Sequence, residues 1–150
     1  MFVRKRSSGE KYGYGDGARV AAFGRNSSWI GANPILDKTV VAVAGTACPN
    51  SAITENVRGK VALITRTDDC EFVVQVRAAQ VAGAVAVLIK HNVAGEAPVE
   101  MPGVDATITI PAVMVSKAYG DSLSGQIDIC LLYTSPSPRD ATLSRMPSSA

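Results

Sequence analysis

The sequence predicts an α+β domain built around a strand–helix–strand unit. Three stretches predict it. Residues 59–65, GKVALIT, form an apolar run rich in β-formers. Residues 70–83, CEFVVQVRAAQVAG, place Phe72, Val76, Ala79 and Gly83 on one face at helical spacing. Residues 84–90, AVAVLIK, return as a nearly unbroken apolar run. Such a run is expected to be buried on both faces, as in a parallel pair. Together the three make a βαβ unit of about thirty residues with a right-handed crossover. Composition agrees, since 47% of the residues are apolar and only 5% aromatic, which favours a sheet of small, close-packing side chains. A length of 150 residues suits one domain with a real core rather than two.

The elements follow in order. Residues 1–17 are basic and glycine-rich without a sustained apolar period, and read as a flexible lead-in. ARVAAFG, residues 18–24, reads as a short strand ending at Gly24, and RNSSWIGANPILD as a loop. That loop carries the sequon Asn26-Ser27-Ser28, a glycosylation site in a secreted eukaryotic chain. KTVVAVAG, residues 38–45, is a β-rich run closed by glycine. In the βαβ unit, Asp68 or Asp69 is expected to cap the helix, Glu71 to favour its N-terminus and Gly83 to stop it. Residues 91–107, HNVAGEAPVEMPGVDAT, form a long loop. ITIPAVMVS then gives a strand with Pro111 at an edge, a bulge or its start, because proline donates no ladder bond. Ser116 caps a last short helix over KAYGDSLSG, which Gly120 weakens, and QIDI is a final strand.

Charge narrows the function. The net charge is +2, yet the residues through Arg25 carry +4 and those from Cys130 carry +1, leaving the middle at −3. A mildly acidic core argues against nucleic-acid binding. The longest apolar run, AGAVAVLI, is far short of the ~20 residues a membrane span needs. MFVRKRSSGEK lacks the apolar segment of a signal peptide, and its RKR reads as a solvated segment, the alternatives being a localisation signal or an anionic partner.

Catalytic chemistry is not evident. His91 is the only histidine, it stands where a strand opens into a loop, and no Gly-x-Ser-x-Gly elbow occurs. It reads as a surface loop residue. One histidine and two cysteines ahead of the terminal stretch do not make a zinc site. The cluster Asp68, Asp69, Glu71 is explained by helix capping, and GYGDG is no nucleotide loop because no strand precedes it. No cofactor or metal is expected, and the chain does not read as a complete enzyme.

The stretch from Ala47, ACPNSAITENVRGKVALITRTDDCEFVVQVRAAQVAGAVAVLIKHNVAGEAPVEMPGVDATITIPAVMVSKAYGDSL, resembles the protease-associated (PA) domain. The motifs that carry the resemblance are GKVALITR, Cys70-x-Phe72, QVRAAQVAGAVAVLI, the asparagine of HN and TITIPAVMVS, and it covers residues 18–127. One departure is plain: the family's tight Arg-Gly-x-Cys turn is here Arg66-Thr67-Asp68-Asp69-Cys70, one residue longer and without glycine. The resemblance implies a mixed β-sheet sandwich with the βαβ unit and two short flanking helices, spanning residues 18–129. It also implies a non-catalytic module that recognises peptide or protein, shapes access to a neighbouring active site, or holds an oligomer interface, its partner being a peptide or protein ligand or the catalytic domain of its parent chain. The parent is expected to be a larger secreted or lumenal protease or peptidase. The alternatives are the lumenal ligand-binding domain of a sorting receptor or RING-type ubiquitin ligase, and a small free-standing enzyme on the βαβ unit.

By the same resemblance Cys48 and Cys70 form a bridge that closes a loop of about twenty residues, worth about 3 kcal/mol in the chain-entropy model; the alternative is two unrelated buried thiols. A bridge implies an oxidising compartment, either extracellular or the secretory lumen. No membrane contact by this chain is expected. The partner is expected at the long loop, through His91, Asn92, Glu96, Val99, Glu100, Met101 and Asp105; the alternative is that this loop only covers a sheet edge. Residues 130–150, CLLYTSPSPRDATLSRMPSSA, read by composition as a disordered Ser/Pro tail. Back-translated, they resemble a sequencing-library adapter, so they are taken as non-native and Cys130 is set aside from the cysteine count.

Overall fold

The computed structural model describes residues 2–9, 11–13, 18–20, 35–99, 101–103 and 105–130. Along these the chain forms β1 (Phe2–Lys5), β2 (Lys11–Gly13), β3 (Ala18–Val20), β4 (Ile35–Ala42) and β5 (Val61–Thr65). Then come α1 (Phe72–Val81), β6 (Ala86–Lys90), β7 (Ala112–Val115), α2 (Lys117–Ser122) and β8 (Gln126–Cys130). The sequon at Asn26, and residues 131–150 of the terminal stretch, lie outside the described residues.

One mixed sheet runs in the order β2-β1-β8-β4-β5-β6-β7-β3. Strands β4 to β7 are mutually parallel, and the pairs β1–β2, β1–β8, β4–β8 and β3–β7 are antiparallel. The end strands β2 and β3 approach each other, so the sheet curls round on itself. The unbroken apolar runs of β5 and β6 are explained by this curl, since side chains on both faces are covered. Ala62, Ile64, Val87, Ile89, Ala112 and Met114 pack with Val73, Val76 and Ala79 of α1. Their alternate neighbours, among them Val61, Leu63, Leu88 and Val113, meet Tyr119, Ile127 and Ile129 inside the curl. Pro111 stands immediately before β7, where its missing N–H costs no bond, and its carbonyl accepts from Val87 N–H at 3.0 Å.

Helix α1 departs from expectation at its start. Glu71 is the N-cap and makes no side-chain cap bond. Asp68 and Asp69 lie too far ahead of the first turn to cap it, and Asp69 instead donates its N–H to Thr67 Oγ1 at 3.1 Å. The inward face is Val73, Gln75, Val76 and Ala79, so Phe72 is only half-buried. Gln75 earns its buried place by donating from Nε2 to the carbonyls of Thr46 and Thr65, at 2.8 and 3.2 Å. Gly83 ends the helix at φ +98, with Arg58 atoms 3.2–3.3 Å from where a Cβ would stand. Gly83→Ala is therefore expected to cost about 1–2 kcal/mol from the left-handed backbone alone, read as a lower midpoint in thermal unfolding. Ser116 caps α2 by accepting from Tyr119 N–H. Gly120, which weakens that helix on propensity, is required by the Lys90 side chain, whose Cγ would lie 2.5 Å from an added Cβ.

The expected flexible lead-in is corrected in its described residues, because β1 lies inside the sheet between β2 and β8. Val3 is fully buried, and its carbonyl accepts from the Tyr119 hydroxyl at 3.1 Å. Nor is the basic run simply solvated. Asp128, fully buried in β8, accepts from Arg4 Nε at 3.0 Å, Arg6 Nη1 at 3.1 Å and the backbone N–H of Asp37 at 2.8 Å. Asp37 takes the left-handed conformation, φ 58, where the β4–β8 register shifts.

Candidate functional site

The ladder between β5 and β6 continues one step past Thr65, where Arg66 N–H donates to Lys90 O at 2.8 Å. The chain then leaves the sheet through a five-residue turn and enters α1. Cys70 in that turn is joined to Cys48 by a disulfide with Cα atoms 5.8 Å apart, which ties the turn to the loop before β5. Facing it across a cleft of about 520 Å³ are Pro102 and Gly103. Arg66, Cys70 and Phe72 form the wall, with the exposed side chains of Asp68, Asp69 and Glu71 at its rim.

Arg66 is the group this architecture sets apart. Its guanidinium carbon stands 5.9 Å from the centre of the Phe72 ring, within cation–π range. Its Nη1 lies 3.2 Å from His91 Nε2. The other ring nitrogen, His91 Nδ1, lies 3.0 Å from Val93 N. A neutral imidazole has one bare nitrogen, so the ring accepts from Val93 N–H or from the Arg66 guanidinium and not from both. Asp68, Asp69 and Glu71 share the turn, yet among the described residues no carboxylate pairs with Arg66.

The long loop divides sharply. Asn92, Glu96 and Val99 are exposed, and Glu100 lies outside the described residues. His91 is corrected from surface to core: it is 2% exposed, and its N–H extends the sheet to Val115 O at 2.9 Å. Met101 is also corrected, being fully buried against the α1 face of the sheet and so closed to a partner. Asp105 serves the fold. The Thr107 hydroxyl, the Thr107 N–H and the Arg77 guanidinium hold its carboxyl below the usual range, and the Arg77 contact is 3.1 Å. The residues that sequence reasoning left out are Arg66 and Phe72. The signal was available, since five polar side chains and a half-bridge cysteine crowd the seven residues 66–72.

On the outer side of α1 a second, more open groove of about 440 Å³ runs along Ile53, Val74, Ala78 and Val81, and Val81 is 80% exposed. Among the described residues no three His, Cys, Asp or Glu side chains gather so as to hold a metal ion.

Comparison with known families places this geometry. The family described as the PA domain matches residues 36–123, more than half of the chain. The chain belongs to the PA domain family. No curated protein matches the sequence. Solved structures share the PA-domain fold. A zinc aminopeptidase of Bacillus subtilis superposes with a TM-score of 0.62 at 22% identity, over 85% of this chain and 28% of that one. An aminopeptidase from Aneurinibacillus sp. strain AM-1 gives 0.60 at 24% identity, over 85% and 29%. A psychrophilic subtilisin-like protease from Pseudoalteromonas sp. AS-11 gives 0.60 at 17% identity, over 85% and 31%. The PA chain thus spans less than a third of each of these structures, and at such identities the likeness is one of fold.

Proposed function

We propose that this PA domain is a non-catalytic recognition module of a larger secreted or lumenal peptidase. It binds peptide or protein segments in the cleft of residues 66–72 and so modulates what reaches a catalytic domain elsewhere on the parent polypeptide. The carrying observation is Arg66, a charged donor held against two rings at a cleft wall without a carboxylate partner among the described residues. An interior salt bridge would neutralise such a group, whereas a recognition site leaves it available. The peptidase setting is supported by PA-family membership and by the aminopeptidase and protease structures of like fold. An oxidising compartment is supported by the disulfide, and among the described residues no helix is long and apolar enough to cross a membrane.

The test is a titration of the ¹⁵N-labelled chain with pooled short peptides. Amide shifts are expected at Arg66, Cys70, Phe72 and Gly103 and not on the exposed loop of residues 92–97. Shifts confined to that loop, or none with any pool, would overturn the reading. Turnover of fluorogenic peptides by the purified chain would overturn its non-catalytic part.

A further inference from the structure

Resting on that recognition reading, we infer that the group received at Arg66 is a single carboxylate of a peptide, flanked by neutral or basic residues. Arg66 presents five N–H donors, and among the described residues it meets no carboxylate. The two rings against it, Phe72 at 5.9 Å and His91 with Nε2 at 3.2 Å from Nη1, fix its orientation without neutralising its charge. His91 is itself fixed by burial, being 2% exposed. A guanidinium oriented in advance loses little freedom on forming a two-point bond, and carboxylate is the peptide group whose geometry matches that fork. In the same wall α1 begins without a side-chain cap, which adds the positive end of a ten-residue helix to the field at the cleft. The rim sets the limit on the ligand. Asp68, Asp69 and Glu71 are exposed and repel a run of acids, so an isolated carboxylate beside a lysine or arginine is accepted where a polyanion is not.

A carboxylate reaches a peptide from its C-terminus or from an Asp or Glu side chain, and the experiment separates these sources. Three N-acetylated tetrapeptides are titrated into the labelled full chain: Ala-Lys-Ala-Ala as the free acid, the same as the amide, and Ala-Lys-Glu-Ala as the amide. Shifts at Arg66, Cys70, Phe72 and Gly103 are expected with the first or third, about ten-fold weaker or absent with the second. Whichever acid binds names the source. Arg66→Gln is expected to remove about ten-fold in affinity and Arg66→Lys less, each with an unchanged spectrum outside the cleft to certify the fold. Equal binding of the amide, or full binding to a folded Arg66→Gln, would overturn the carboxylate inference while leaving peptide recognition standing. Stronger binding after Glu100→Gln would assign the acceptor of Arg66 to the chain itself and also overturn it. Silence of the cleft towards all three peptides and the pools would remove both readings.

Discussion

Replacing Cys48 and Cys70 together by alanine is expected to lower the unfolding free energy by about 3 kcal/mol. The bridge spans 22 residues, and the loss comes chiefly from the extra freedom of the unfolded chain. Against a total stability of about 5–15 kcal/mol for a domain of this size, that is a large fraction but leaves the βαβ unit assembled. Urea unfolding of the double variant checks it, and wild type treated with reductant should lose a similar amount. The local effect is more telling. Without the bridge the turn of residues 66–72 is tied only at its ends, so amide exchange should quicken there well before it quickens in β5 or β6. Equal protection of the turn with and without the bridge would show that packing alone positions the cleft wall.

Arg4→Ala is expected to cost about 1.5–3 kcal/mol, the range for hydrogen bonds to a charged group, although the residue stands within the first few of the chain. Its acceptor, Asp128, is fully buried, so the loss falls on a carboxylate that has no water to turn to. The pH dependence identifies the cause. Burial pushes the Asp128 carboxyl up, but the bonds from Arg4, from Asp37 N–H and from Arg6 outweigh it and hold it below its ordinary range. A carboxyl depressed in the folded state contributes stability that is full above its unfolded value of about 3.9 and is lost as pH falls through the folded value. Wild type should therefore weaken in urea between about pH 5 and about pH 3. The Arg4→Ala protein should weaken less over that range, and the gap between them should narrow. A gap independent of pH would mean that Arg4 acts by packing its alkyl stem rather than by its charge.

Local pattern made the centre of the fold legible. The βαβ unit announces itself through long apolar runs that hold whatever surrounds them, and Gly83 and Ser116 act through backbone conformation and a bond three residues away. What escaped was set by partners distant in sequence. β1 sets the deeply buried Val3 beside the charged Arg4 and Lys5, and it is a strand because β8 lies beside it with Asp128 accepting from Arg4. The aspartate of QIDI is covered by Arg4 of the first strand, by Arg6 just beyond it and by the turn at Asp37, all far from it in sequence. His91 and Met101 misled for a related reason. A polar, proline-rich loop gives no sign of which two of its residues are its anchors, and those two are buried while Asn92 and Glu96 face water. The cleft was hidden differently. The acids of RTDDCEF are well explained as helix-capping groups, and only the placement of Glu71 as an uncapped start shows that they are not used that way.

The pairing of β1 with β8 has a mechanical consequence. Phe2 stands directly opposite Cys130 at one end of that antiparallel ladder, so two positions 128 residues apart in sequence are neighbours. A fold with that property can be spliced into a surface loop of another protein without stretching the loop. It also responds to tension in a particular way. A pull applied at residues 2 and 130 opens the ladder one rung at a time from that end, like a zip, instead of shearing all its bonds together. The first rungs to part lead towards Arg4 and Asp128. Strain from a host would thus be felt first at the buried ion pair, on strands separate from those that carry the cleft.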